Sequence, residues 1–126
     1  MKGMLYIMKA AVWYGQKDVR VEDREPKELK DNEVKVKVSW AGICGTDLHI
    51  IKGDTPEVPE NTTLGHEGIG IVESVGSNVN NFKVGDKVIV SAVSSCGKCY
   101  YCKKGIYAHC ENDGGWILNA KGFSLS

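Results

Sequence analysis

Short apolar stretches broken by glycine run along this chain, and long helical repeats are missing. Residues 9–14 form an apolar run closed by Gly15, and Val19-Arg20-Val21 alternates. Val34, Val36, Val38 and Trp40 alternate with Lys35, Lys37 and Ser39, the period-2 pattern of a strand with one buried face. Residues 68–75 are apolar and β-branched and stop at Gly76. Val84-Gly85-Asp86-Lys87-Val88 reads as a tight turn, with Asp86 inside it, leading into a strand over residues 88–93. Residues 22–33 are a polar connector with Pro26 and Asp31-Asn32. Helical signals are few: residues 46–52 make one or two turns, with Thr46 as cap and Gly53 as stop, and residues 99–104 make another. The pattern predicts a mostly β chain with short helices, arranged as an antiparallel Greek-key barrel or sandwich.

Composition sharpens this. A chain of 126 residues holds one hydrophobic core, not two, so residues 1–126 are expected to be a single domain. Sixteen basic and sixteen acidic residues give no net charge, so nothing points to nucleic acid or an anionic membrane as partner. The apolar stretch at residues 4–8 is too short for a signal peptide, and no run reaches the ~20 apolar residues of a membrane span. Met8-Lys9-Ala10-Ala11-Val12 resembles a natural start, which makes residues 1–7 a candidate extension. A reducing cytoplasm is therefore the expected setting. There, clustered cysteines are metal ligands more often than disulfides, and the odd count of five opposes complete pairing.

Four of the five lie in one loop, residues 95–111, with the spacing Cys96-x2-Cys99-x2-Cys102-x7-Cys110. Two intervening residues let neighbouring sulfurs turn back onto one ion, and the longer gap closes the fourth corner of a tetrahedron, the geometry zinc favours. Gly97 and Gly105 supply turns, and Lys98, Lys103 and Lys104 offset the negative charge of a four-thiolate centre. The segment has little apolar content, so the metal would have to fold it. Two alternatives stand beside structural zinc: unliganded thiols in a loop, and an iron–sulfur cluster. The latter shares the first spacing but lacks the ferredoxin three-residue gap and following proline. His109 is a substitute ligand, although Cys110 completes an all-sulfur site.

A second constellation combines Gly42-Ile43-Cys44-Gly45-Thr46-Asp47-Leu48-His49 with Gly65-His66-Glu67-Gly68. Cys44 and His66 are good zinc ligands, and catalytic zinc takes three protein ligands with one open position. Glu67 is either the third ligand or a close neighbour, and Asp47 can accept the other ring N–H of His66. Each residue also has an ordinary role: Cys44 as small core filler, His66 as a hydrogen-bonded histidine, Thr46 as a helix cap and His49 as a surface residue.

These two segments, with Ile69-Gly70-Ile71-Val72 after the second, Val84-Gly85-Asp86-Lys87-Val88 and the cysteine loop, occur in the order and with gaps that resemble the zinc-dependent medium-chain alcohol dehydrogenases, from residue 8 to about residue 118. The resemblance implies a GroES-like β-barrel catalytic domain. It implies catalytic zinc on Cys44 and His66, with Glu67 a nearby or alternative ligand and Asp47 hydrogen-bonded to His66. It also implies that Thr46 contacts the substrate hydroxyl, that His49 relays its proton to solvent, and that Cys96, Cys99, Cys102 and Cys110 hold structural zinc. The activity implied is oxidation of a small alcohol to an aldehyde or ketone, by hydride transfer to NAD or NADP.

The chain departs from the family in lacking a Rossmann domain: neither residues 65–70 nor Gly114-Gly115 form a G-x-G-x-x-G turn between strand and helix. The family's further catalytic-zinc ligand, downstream of the cysteine loop, has no matching position, and residues 119–126 lose the resemblance apart from Gly122-Phe123. The expectation is an N-terminal portion of such an enzyme, from a truncated or frameshifted gene. Its barrel would be incomplete, it would be inactive alone, and uncovered apolar surface would drive self-association. A non-enzymatic zinc-binding β module or gene remnant is the alternative, with an iron–sulfur electron carrier disfavoured by spacing.

Overall fold

The computed structural model describes residues 7–92 and 94–112. The expectations for residues 1–6, for Val93 and for the segment from residue 113 onward, including Gly114-Gly115 and Gly122-Phe123, lie outside the described residues. Within them the order is β1 (Met8–Gly15), β2 (Asp18–Arg24), β3 (Val34–Ala41), α1 (Gly45–Lys52), β4 (Thr62–Thr63), β5 (Gly68–Val75), β6 (Lys87–Val90), α2 (Tyr100–Lys103) and a 3-10 turn, Tyr107–His109. The expected strands are present, except that β6 stops at Val90, and Ser91 and Ala92, expected to continue it, lie outside any strand. β2 runs on to Arg24, into the stretch expected as connector, and the two-residue β4 has too little sequence to show a period.

All pairing is antiparallel, in two open three-stranded sheets ordered β2-β1-β4 and β3-β5-β6. Among the described residues no ladder joins them, so the expected incomplete barrel takes the form of two sheets. The core lies where apolar alternation is strongest. Ala10 and Val12 of β1 and Val72 of β5 are buried. Trp13 packs with Ile50 of α1 and Val58 of the following loop, with Ile51 and Leu64 against them. This cluster fixes α1 to the first sheet. The Lys17 N–H, donated to the Ile51 carbonyl at 2.7 Å, ties the β1–β2 turn to the same helix.

β3 departs from the expected half-buried strand. Val38 pairs with Gly70, but Trp40 pairs with Ile69, with a register irregularity between them. Because side chains alternate faces, that shift turns Trp40 to the face opposite Val38. Trp40, Ile69 and Ile89 then stand in one row across β3, β5 and β6. Trp40 and Ile89 are 78% and 79% exposed. The next row on that face, Lys37, Ile71 and Lys87, is flanked by lysines. The face is thus apolar at one end and basic at the other.

Glycine at position 70 is dictated by how closely β3 approaches β5. A Cβ there would collide with the Lys37 carbonyl oxygen and lie 2.7 Å from Val36 Cγ1. Gly70→Ala is therefore expected to cost about 1–3 kcal/mol by forcing the ladder apart. Urea unfolding of both proteins measures this, and unchanged stability would show that β3 yields freely.

Candidate metal centres

Both ends of the loop from β3 into α1 are tied down. The Gly42 N–H donates to the Glu67 carbonyl at 3.0 Å. A side chain at position 42 would collide with the Glu67 carboxylate, so glycine leaves room for that group. At the other end Cys44 is extended (φ −117°, ψ −177°) and is the N-cap of α1. Thr46 is not the cap. It lies inside the first turn, and the Asp47 carboxylate, three residues after the cap, reaches back to accept the Cys44 N–H at 3.0 Å.

The second Asp47 oxygen faces His66 Nδ1 at 3.3 Å. Asp47 and His66 are both buried. The opposite ring nitrogen, Nε2, lies 3.0 Å from Cys44 Sγ and 3.8 Å from Glu67 Oε1. A carboxylate at Nδ1 favours the tautomer with its proton there, leaving the Nε2 lone pair turned toward the sulfur. A thiol and an imidazole nitrogen so aimed are a donor set that suits zinc. Cys44, Asp47 and His66 all offer ligand atoms within 4.8 Å of one another. One Asp47 oxygen accepts the Cys44 N–H and the other lies 3.3 Å from His66 Nδ1, and Glu67 is the carboxylate on the Nε2 side. A cavity of about 420 Å³ adjoins His66 and Glu67, walled by Trp40, Ile69, Ile89, Val90 and Ala92.

The structure thus brings together Cys44, Asp47, His66 and Glu67. Thr46 is half-buried in the first turn of α1. His49 is exposed, and its Nδ1 contacts Asp54 Oδ2 at 3.1 Å. The sequence pattern around His49 does not single out Asp54; the available signal was Gly53, whose helix-ending turn folds the next residue back over α1.

The cysteine loop forms a separate cluster. Cys96, Cys99, Cys102 and Cys110 present sulfurs within 4.8 Å of one another. His109 lies instead against Tyr101, ring centroids 5.7 Å apart. Backbone N–H groups point at the sulfurs: Lys98 and Cys99 donate to Cys96 Sγ at 3.3 Å each, Cys102 to Cys99 Sγ at 3.4 Å, and Cys96 to Cys110 Sγ at 3.3 Å. These donors favour thiolate. The Cys96 thiol is held down to about 6, chiefly by the Lys98 N–H, and the N–H of Glu111 lowers Cys99. Burial pushes Cys102 up to about 11. A cation among them removes the conflict, because it stabilises all four thiolates. The buried cluster of this lobe is Cys99, Cys102 and Cys110, with Cys96 and Tyr101 packed on it, so sulfur occupies the place of an aliphatic core.

The alcohol dehydrogenase GroES-like domain family matches residues 30–124. AdhB of Bacillus subtilis, an uncharacterised zinc-type alcohol dehydrogenase-like protein, is 43% identical over 120 residues, covering 93% of this chain and 32% of its own. Alcohol dehydrogenase class-3 of Drosophila melanogaster is 42% identical over 111 residues, 87% of this chain and 29% of its own. Among solved structures, the apo form of zinc-dependent alcohol dehydrogenase 2 from Streptococcus pneumonia superposes with a TM-score of 0.82 at 53% identity, over 92% of this chain and 33% of its own. The chain spans about a third of the length of the relatives it matches. No helix among the described residues is long and apolar enough to cross a membrane.

Asp47→Ala removes the acceptor of the Cys44 N–H and the partner of His66 Nδ1 together. It is expected to cost about 1–3 kcal/mol, the range for stranding buried hydrogen-bonding groups. Denaturant unfolding followed by far-UV circular dichroism measures the loss, and wild-type stability in Asp47→Ala would remove this carboxylate from the account.

Proposed function

The chain belongs to the alcohol dehydrogenase GroES-like domain family, as an N-terminal portion of a zinc-type medium-chain enzyme, and from this premise we propose that it supplies the zinc-bearing side of an active site that oxidises small alcohols to aldehydes or ketones with NAD or NADP. The observation that carries the proposal is the 3.0 Å approach of Cys44 Sγ to His66 Nε2, with Asp47 behind the ring.

In this proposal Cys44 and His66 hold the catalytic zinc, with Glu67 a third ligand or close neighbour. Bound zinc supplies Lewis-acid polarisation of the alcohol oxygen. Asp47 keeps the His66 ring from rotating and its Nδ1 protonated. Thr46 meets the substrate hydroxyl, and His49 passes its proton to water. A mostly apolar wall that includes Trp40, Ile69 and Ile89 lies beside His66 and Glu67, a surface suited to the carbon atoms of a small alcohol. The lobe at residues 95–111 carries structural zinc on Cys96, Cys99, Cys102 and Cys110. Nicotinamide chemistry belongs to the cofactor, and no contact with it is assigned to these residues. A reducing cytoplasm suits so many free thiols.

The 126 residues alone are proposed to be inactive. Zinc-loaded chain mixed with primary and secondary alcohols and either nicotinamide is expected to form no reduced cofactor. Grafted into the B. subtilis relative in place of its matched region, the same residues are expected to support oxidation, and Cys44→Ser is expected to abolish it. Turnover by the isolated chain would overturn the inactivity; a graft that folds and binds zinc without turnover would overturn the function.

The isolated chain is further proposed to self-associate through the row of Trp40, Ile69 and Ile89, an in-register apolar strip of the kind soluble proteins usually cover. Sedimentation velocity should show association that rises with concentration and weakens in Trp40→Ser/Ile89→Ser. A wild-type monomer at every concentration contradicts it.

A further inference from the structure

The end of α1 is built around one contact that the metal sites do not use. Gly53 adopts a left-handed conformation (φ 84°, ψ 18°), which a residue with a side chain rarely takes. Two backbone bonds close the turn: the Gly53 N–H donates to the Ile50 carbonyl at 2.9 Å, and the Asp54 N–H to the His49 carbonyl at 3.0 Å. Asp54 is thereby anchored directly over His49, and its carboxylate Oδ2 stands 3.1 Å from His49 Nδ1. An isolated exposed ion pair holds its geometry poorly, because two free side chains must be ordered at once. Here the backbone bond between the same two residues has already placed the acid.

We propose that Asp54 is a positioning residue that fixes the tautomer of His49: Nδ1–H is donated to Asp54, and Nε2 carries the lone pair. The inference rests on the role proposed above for His49 as proton relay and assigns the atom that performs it. Nε2 takes the proton released from the substrate hydroxyl, the ring becomes cationic with both nitrogens protonated, and Nε2 then returns that proton to water. The Asp54 carboxylate keeps accepting the Nδ1 proton while the ring is cationic, the orienting part a carboxylate plays behind a base histidine. With the other tautomer, Nε2 would already hold a hydrogen and could not accept.

The test reads the tautomer directly. Long-range nitrogen–proton correlation NMR on the zinc-loaded chain, with neutral imidazoles, distinguishes Nδ1–H from Nε2–H for each histidine. His49 is expected as Nδ1–H in the wild type. Asp54→Ala is expected to return it to Nε2–H, the form a free imidazole favours, while Asp54→Asn retains Nδ1–H because the amide oxygen still accepts. Backbone amide signals of Leu48 and Ile50 report whether α1 stays intact. If it frays in Asp54→Ala, the isosteric Asp54→Asn and the wild type still decide the matter. His49 as Nε2–H in the wild type, or an unchanged tautomer in a folded Asp54→Ala, overturns the proposal. A tautomer that obeys Asp54 in a grafted enzyme that never oxidises alcohol would sink the function and leave this inference standing.

Discussion

One buried carboxylate joins the two segments from which the main site is made. Asp47 accepts the Cys44 N–H with one oxygen and faces His66 Nδ1 with the other. Cys44 ends the loop out of β3, and His66 leads into β5, so the contact links segments that are neighbours in space and distant in sequence. It also serves two energetic ends. The helix N-terminus is capped by a negative charge where the macrodipole favours one, and the imidazole is held with Nε2 toward sulfur. A shorter or neutral side chain at position 47 would give up at least one of these.

The cysteine lobe is organised on a different principle. It has almost no apolar side chains to bury, and its interior is thiol sulfur with Tyr101 against it. Backbone N–H groups aimed at those sulfurs stabilise negative charge, while burial of Cys102 opposes it. A cation at the lobe's centre would relieve that opposition by stabilising every thiolate at once. The two centres therefore differ in what metal would do: in one it completes a fold, and in the other it meets a preformed pair on the end of a helix.

Much of this was legible in the sequence for physical reasons. Strands β1, β3 and β5 announce themselves by alternation or by β-branched runs, and the cysteine spacing states its own geometry. Cys44 and His66 were candidates by residue type, yet nothing in their spacing shows that β3 and β5 would bring them together. The misreadings have local causes. Thr46 is a good capping residue by type, but Asp47 sits at the position from which a side chain reaches back to the cap. The alternation of Val34 to Trp40 hides a register irregularity, and that one slip puts Trp40 in an apolar row with Ile69 and Ile89 on the outer face. Asp54 belongs to no sequence motif; it matters because Gly53 turns the chain back on itself.

The claim that two distinct zinc centres are encoded in these residues is tested most directly by metal analysis of the purified chain beside Cys44→Ser and Cys102→Ser. Two zinc ions per wild-type chain are expected, with one lost in each variant and the other retained. A single zinc that Cys102→Ser removes and Cys44→Ser leaves in place would contradict it, because the Cys44–His66 pair would then hold no metal.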